Sequence, residues 1–249
     1  TEAATGSDFN AVTTRAVLEG DEYVINGAKR FITASDLDGP IVLYAKDGEK
    51  ISAFIGQKNT AGYTVPTPWK KMGMHGVSLT DIYLENFKVP KENLLGRTGN
   101  GANVLLDTIA IGKLDTCAIV LGGAQAALDE AIKYARERTV RGKPIASLQT
   151  IQSLVAEMAA SLEACRWMVY RLAALVDQKK DIRYESALTK MFVTETANEI
   201  GRKSLKVHGA YGYVADFPIE RIVRDIHLGE LVEGSNEIQR MIVAANLLK

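Results

Sequence analysis

The chain has 249 residues, of which 47% are hydrophobic and 24% are charged, which is ordinary for a globular protein that is long enough for two domains with cores. Lys and Arg number 30 and Asp and Glu number 30, so no overall basic field favours binding to nucleic acid or to an anionic membrane. Neither a signal peptide nor an apolar run of membrane-spanning length is evident in the sequence.

Strand and turn patterns occupy the first 95 residues. Turns are predicted at Gly20-Asp21 and Asp47-Gly48, and a tight hairpin is predicted at Asn26-Gly27. The predicted strands cover residues 12–18, 23–25, 29–33, 40–45, 51–56, 63–66 and 80–89. Turn signals at such short intervals predict a small antiparallel barrel or sandwich.

Helical patterns occupy the rest of the chain. The first helix is predicted over 102–138, and its sequence is apolar almost all round as far as Leu128, which predicts burial on most sides. A second helix has an apolar stripe that alternates steps of three and four residues from Leu148 to Val176. A third helix is predicted over about 183–208, and two short helices follow it. Its predicted inward residues are Leu188, Met191, Phe192 and Ile200.

The predicted fold class is therefore α+β. We expect a small antiparallel β-barrel domain at residues 1–95, followed at 96–249 by an antiparallel domain similar to a four-helix bundle. Cys117 and Cys165 lie in apolar helical patterns, which predicts small core residues in a reducing compartment rather than a disulfide. The three histidines show no metal-binding spacing.

The last stretch places an acidic residue just before a helix. Glu233 and Gly234 precede Ser235, which is a suitable N-cap, and Glu237 follows in the first turn of the helix. The glycine permits close approach of a ligand. Glu233 is therefore predicted on a short loop where it is free to face a cavity as a general base, although an acid at this place is more often only a capping or dipole residue.

The longer string VEGSNEIQRMIVA, which contains Glu233, resembles the C-terminal signature YEGTSEIQRMIIA of the acyl-CoA dehydrogenase family. In that family the matching Glu removes the α-proton of an acyl-CoA thioester. Five further strings resemble family motifs in the same order along the chain, namely TEAATGSD, VINGAKRFIT, KMGMHGVSLTDIYLENFKVPKENLLG, YARERTVRGKPIASLQTIQ and KVHGAYGY. The resemblance therefore implies that Glu233 is the catalytic base.

The resemblance also implies an FAD cofactor, whose pyrophosphate would pair with Arg138 of a neighbouring subunit. The residues that match cofactor-binding positions are Thr1, Ser7, Phe31, Thr33, Arg138, Gln149, Lys206, Gly209, Ala210, Ser235 and Glu237. The residues that match substrate-binding positions are Ser7, Lys113 and Gly234.

Some positions depart from the family pattern. Lys206 stands where Gln is usual, Ala210 where Gly is usual, and Val232 where Tyr is frequent. In one branch of the family the base lies on the first long helix, but the matching residue here is Gly112, which has no side chain to act. These departures leave Glu233 as the base and predict a modified substrate pocket.

Further expectations follow from the resemblance. It implies an acyl-CoA substrate in fatty acid metabolism, an electron-transfer flavoprotein as partner, and a homodimer or homotetramer. The expected location is cytoplasmic, or the mitochondrial matrix if the source is eukaryotic. Two alternatives stay open: an acyl-CoA oxidase that reduces oxygen, and a partial or non-catalytic subunit, because the N-terminal helical domain of the family precedes the TEAATGSD position.

Overall fold

The computed structural model describes residues 1–249 and has a mixed α+β fold. It divides into two compact units, Thr1–Thr108 and Ile109–Lys249. The boundary predicted between residues 95 and 96 falls in the segment that follows the last long strand and precedes the first helix.

The first unit is built on a six-stranded sheet. Its strands are β1 (Arg15–Glu19), β2 (Glu22–Thr33), β3 (Pro40–Asp47), β4 (Lys50–Gln57), β5 (Tyr63–Thr64) and β6 (Leu79–Pro90), in the order β4-β3-β1-β2-β6-β5. The turns predicted at Gly20 and Gly48 join β1 to β2 and β3 to β4, and both glycines have φ of +64°. Gly tolerates this left-handed conformation without steric cost, so these turn predictions are confirmed.

The sheet is not purely antiparallel. Arg15 and Ala16 of β1 pair in parallel with Lys46 and Asp47 of β3, while the other ladders of the sheet are antiparallel. No ladder joins the two edge strands β4 and β5. The closed barrel stays a prediction.

The hairpin predicted at Asn26-Gly27 is wrong, because β2 continues through both residues. The register of β2 against β6 shifts between Ile25 and Gly27, and Gly27 has φ of +150°. A Cβ at Gly27 would lie 2.5 Å from Oγ1 of Thr14. The glycine therefore permits a bulge at a close backbone approach instead of a chain reversal.

The second unit is helical. Its main helices are α1 (Gly101–Glu137, which begins in the first unit), α2 (Gln149–Asp177), α3 (Arg183–His208), α4 (Pro218–His227) and α5 (Asn236–Leu247). A short two-stranded ladder of β7 (Thr139–Val140) and β8 (Lys143–Pro144) connects α1 to α2. None of the helices combines the length and apolar character needed to cross a bilayer.

Two of the predicted helices agree with the structure in extent and in part of their burial. In α2 the apolar stripe is buried from Met158 to Leu172, and Cys165 lies in this core. Leu148, the first residue of the predicted stripe, is 47% exposed, since it precedes the first helical residue. In α1 the buried Cys117 confirms the predicted core position, whereas Ile119 is 58% exposed. The prediction that α1 is buried on most sides is therefore wrong along one of its faces.

The prediction for α3 is wrong in a more informative way. Phe192 is 41% exposed, and Leu188 and Met191 are only half-buried, so Ile200 alone of the four predicted residues is fully buried. The buried face consists largely of small and polar residues, namely Ser186, Ala187, Thr189, Lys190, Val193, Thr194, Ala197, Asn198, Ile200, Gly201 and Ser204. An apolar pattern does not reveal such a face, because polar side chains enter a core only where they find hydrogen-bond partners.

Candidate active site

Glu233 lies on the loop between α4 and α5, in an unusual backbone conformation. Its φ is +53° and that of Gly234 is +81°. A non-glycine residue in the left-handed region costs about 1–2 kcal/mol, and such strain is concentrated at functional sites. Ser235 occupies the N-cap position of α5, but its hydroxyl makes no capping hydrogen bond to the backbone. The conformation of the loop is therefore maintained by other contacts.

The carboxyl group of Glu233 packs directly against Gly112 on α1. A Cβ at Gly112 would lie 2.7 Å from Cδ and Oε2 of Glu233 and 3.1 Å from Oε1. These distances are too short for a carbon contact, so the carboxyl group occupies the space that any side chain at residue 112 would need. The same glycine that is unable to act as a base thus makes room for Glu233.

The surroundings of Glu233 alter its proton affinity. Burial raises the pKa of Glu233 above its ordinary value, the positive charges of Lys113 and Lys190 oppose the rise, and the negative charge of Asp115 adds to it. Lys113 follows Gly112 on α1 and is only 5% exposed, and burial lowers its pKa although Glu233 favours its charged form. A carboxylate whose pKa is raised by burial is a stronger proton acceptor than an exposed one, which suits general base chemistry.

Two buried side chains hold the backbone around Glu233. The Lys190 ammonium donates to the carbonyl oxygens of Glu230 at 3.1 Å and Gly234 at 2.9 Å. The amide nitrogen of Gln239 donates to the carbonyl of Gly234 at 2.8 Å and to that of Glu233 at 3.3 Å. The carbonyl of the strained residue, that of the residue after it and that of Glu230 before it are therefore all bonded to buried side chains.

In the first unit, Phe31 presents an exposed aromatic ring from a strained position. Its φ is +58°, it lies where β2 shifts register between Lys29 and Ile32, and its side chain is 53% exposed. The ring of Trp69 lies 5.9 Å away. The buried carboxylate of Asp81 accepts hydrogen bonds from the Phe31 backbone N–H at 3.3 Å and from Trp69 Nε1 at 2.9 Å. Asp81 thus fixes an aromatic surface that faces solvent.

The other predicted residues of the first unit are all exposed. Thr1 and Ser7 belong to the N-terminal segment, and the Thr1 carbonyl accepts a hydrogen bond from the Arg30 N–H at 2.9 Å. Thr33 ends β2 and pairs with Leu79. The Thr1 segment is therefore tied to the residue that precedes Phe31.

A further group of predicted residues lies in the second unit, at the end of α1 and after α3. The Arg138 guanidinium lies 5.4 Å from the centre of the Tyr211 ring. Tyr211 belongs to the turn that also contains Gly209 and Ala210. Gln149 begins α2 and Lys206 lies in the last turn of α3. Arg138, Gln149, Lys206, Gly209 and Ala210 are all exposed. The structure thus brings Arg138 to the KVHGAYGY turn.

Four residues that shape the surroundings of Phe31 and Glu233 were not predicted from the sequence, namely Trp69, Asp81, Lys190 and Gln239. Lys190 and Gln239 are fully buried and polar. A single Lys inside a helical pattern is usually solvated, so it is not by itself a signal of burial. Gln239 belongs to the VEGSNEIQR string, whose match to the family signature is the one signal that covers it.

Comparison with protein families decides which family this chain belongs to. Residues 1–87 match the model of the acyl-CoA dehydrogenase middle domain, and residues 99–248 match the model of its C-terminal domain. The chain belongs to the acyl-CoA dehydrogenase family. The resemblance inferred from the motifs is confirmed.

Relatives and solved structures of the acyl-CoA dehydrogenase family cover the whole chain. The caffeyl-CoA reductase-Etf complex subunit CarC of Acetobacterium woodii and a 3-(aryl)acrylate reductase of Clostridium sporogenes are each 41% identical over 100% of this chain and 67% of their own length. The structure of butyryl-CoA dehydrogenase from Megasphaera elsdenii has a TM-score of 0.98 and 31% identity, over 100% of this chain and 67% of that one. The chain thus spans about two thirds of the length of these proteins.

Proposed function

We propose that Glu233 is the catalytic base of an FAD-dependent α,β-dehydrogenation of an acyl-CoA thioester. The observation that carries the proposal is the strained, half-buried Glu233, whose carboxyl group fills the space left by Gly112 within the matched C-terminal domain. A function confined to capping would not require this conformation, since an N-cap acid satisfies the helix without entering a cavity.

The environment of Glu233 supports the role of a base. The α-proton of a thioester is only weakly acidic, so the base must have a raised proton affinity and must be held in place. Burial raises the pKa of Glu233, and the positive charge of Lys113 opposes the rise. We propose that the Glu233 backbone N–H donates to the thioester oxygen as it gains negative charge.

The exposed aromatic surface of Phe31 and Trp69 supports FAD binding. Aromatic faces stack on planar rings, and the Asp81 carboxylate holds this surface in one orientation. When bound, FAD supplies the acceptor for the β-hydride, for which no side chain can substitute. We propose that Phe31, Thr33, Ser7 and Thr1 contact the flavin side of the cofactor.

The remaining cofactor contacts are proposed for the second unit. The exposed Arg138 guanidinium is a donor suited to a pyrophosphate, in the manner of arginine-phosphate pairs. Gln149, Lys206, Gly209 and Ala210 are its proposed companions, and Ser235 and Glu237 are proposed on the Glu233 loop. We propose Ser7, Lys113 and Gly234 for the acyl-CoA. A domain boundary at 95/96, a closed barrel and a four-helix bundle complete the proposed architecture.

The reaction partners are also proposals. Two relatives that are 41% identical are named reductases, and one of them is named as a subunit of an Etf complex. Hydrogenation of an α,β-unsaturated acyl-CoA is the reverse of this reaction: the protonated Glu233 carboxyl group would return the α-proton, and reduced FAD, when bound, would supply the hydride. We therefore propose electron exchange with an electron-transfer flavoprotein. The oxidase alternative is separated by measuring how fast the reduced enzyme is reoxidised in air by stopped-flow absorbance.

The proposal is tested by Glu233→Gln in the FAD-loaded protein. We expect the flavin spectrum to be retained while kcat with acyl-CoA substrates falls by about 10²–10⁴-fold, the usual contribution of a general base. Glu49→Gln, in the exposed turn between β3 and β4, is the matched control and should remain fully active. A Glu233→Gln enzyme with unchanged turnover would refute the assignment of the base.

A further inference from the structure

One buried face of α3 consists of polar side chains that are directed at the loop around Glu233. Lys190, Thr194 and Asn198 are spaced four residues apart, which places them on the same face of a helix. Thr194 Oγ1 accepts a hydrogen bond from Asn236 Nδ2 at 3.0 Å, and Asn198 Nδ2 donates to Oε1 of Glu230 at 2.8 Å. This face therefore contacts both ends of the segment that contains Glu233.

Lys190 makes the central contacts of this face. Its side chain is 0% exposed. Besides the carbonyl oxygens of Glu230 and Gly234, its ammonium donates to Asn236 Oδ1 at 2.8 Å. All three acceptors belong to the segment from Glu230 to Asn236, and none of them is a carboxylate. The positive charge thus binds the backbone around Glu233 rather than forming an ion pair.

A buried ammonium without a carboxylate partner lowers the stability of the folded state. Transfer of the charge out of water costs several kcal/mol unless hydrogen bonds compensate. Consistently, burial lowers the pKa of Lys190 to about 8. An apolar residue would fit this helix position without that cost, so the position of the charge calls for a reason other than the stability of α3.

The strained conformation of Glu233 provides such a reason. The φ of +53° persists only if contacts on either side of the residue hold the chain. Lys190 holds the peptide groups at Glu230 and Gly234, and Gln239 holds those at Glu233 and Gly234. Without the ammonium, the carbonyls of Glu230 and Gly234 and the side chain of Asn236 each lose a charge-assisted bond.

We propose that Lys190 is a positioning residue, which holds the Glu233 loop in the conformation that directs the carboxyl group into the space beside Gly112. This inference rests on the proposed function of Glu233 for its catalytic consequence. The mechanical part, that Lys190 holds residues 230–236, does not depend on that function. The two parts are therefore measured separately.

The experiment compares wild type with Lys190→Met, a change to an apolar side chain of similar length, in the FAD-loaded, full-length protein. Hydrogen–deuterium exchange by mass spectrometry should show about tenfold faster exchange for amides of residues 230–236, which corresponds to a loss of about 1.4 kcal/mol of local stability when hydrogen bonds are removed. The kcat should fall by about 10²-fold with KM within about threefold, because misplacement of a reacting group by about 1 Å has an effect of this size.

The matched control is Ser204→Ala on the same helix. Ser204 is buried, and its hydroxyl donates to the Ala127 carbonyl at 2.7 Å, away from the Glu233 loop. This variant should lower Tm while leaving kcat and the exchange of residues 230–236 as in wild type. If Lys190→Met fails to fold, Lys190→Gln takes its place, since its amide retains a donor without the charge, and the same local exchange is expected.

The outcomes are distinct. Wild-type exchange at residues 230–236 in a folded Lys190 variant overturns the inference, as does an increase spread evenly over the chain. Local exchange with unchanged kcat overturns the catalytic part of the positioning role. If Glu233→Gln is itself fully active, the proposed function fails, and the exchange experiment still decides whether Lys190 holds the loop.

Discussion

The contact between Gly112 and Glu233 leads to a prediction in which activity and stability change in opposite directions. In Gly112→Ala the new methyl carbon would lie 2.7 Å from the Glu233 carboxyl group, and ordinary contact begins at 3.4 Å. The carboxyl group must therefore move by about 0.7 Å, a shift that the end of a flexible side chain makes at little cost in stability. Replacement of a helix-interior glycine by alanine itself stabilises a helix by about 1 kcal/mol.

The effect on catalysis should be much larger. Since a displacement of about 1 Å costs about 10²-fold, we expect kcat of Gly112→Ala to fall by about 10- to 100-fold. The assay is the initial rate with a panel of acyl-CoAs and an artificial electron acceptor, together with anaerobic bleaching of the flavin by stopped flow. Tm from thermal unfolding should be unchanged or higher.

Gly122→Ala on the same helix is the control for this prediction. A Cβ at Gly122 has no atom within 4 Å, so the variant gains helix propensity without a new contact. Its kcat should equal that of wild type. A folded, FAD-loaded Gly112→Ala enzyme with wild-type kcat would show that the carboxyl group beside Gly112 is not the reacting group, and the reasoning would fail.

Three further predictions concern charge and strain. The pKa of Glu233 is raised, so the folded protein binds this proton more tightly than the unfolded chain does. The stability that comes from the bound proton is lost as pH rises through the folded-state pKa. Glu233→Gln should therefore unfold at a higher urea concentration than wild type at neutral pH. Burial raises the pKa of Glu2, but hydrogen bonds from Lys29 and two threonines outweigh it and lower the pKa to about 2. This stability is present above the ordinary pKa and is lost as pH falls towards 2. Glu2→Gln should cost about 3 kcal/mol in urea unfolding at pH 7, because the buried Lys29 ammonium loses its carboxylate partner and keeps only the Tyr44 carbonyl, at 2.6 Å. Equal stability would contradict the role of the ion pair. Phe31→Gly removes the backbone strain of a left-handed residue, so it should raise stability or leave it within about 1 kcal/mol of wild type. FAD affinity in a fluorescence titration should fall. Unchanged affinity would show that Phe31 is not part of the cofactor site.

Much of the fold follows from local patterns in the sequence. The turns at Gly20 and Gly48, the strands that flank them and the stripe of α2 from Met158 to Leu172 depend on residues close to one another in the chain. Backbone preference and hydrophobic period act over that range, which is why these elements were predictable. The VEGSNEIQR motif likewise placed Glu233 just before a helix without reference to the rest of the molecule.

Other features depend on what each residue meets from a distant part of the chain. Gly27 forms a bulge instead of a hairpin because Thr14 lies against it, and α3 buries Lys190 while it exposes Phe192. A buried polar group is stable only if partners are present, and the partners of Lys190 lie in the loop after α4. The sequence by itself determined most of the helices and strands, the family motifs and the identity of the candidate base. Only the tertiary structure decided that Gly112 makes space for its carboxyl group and that a buried lysine holds its loop, because both depend on contacts between residues far apart in the chain.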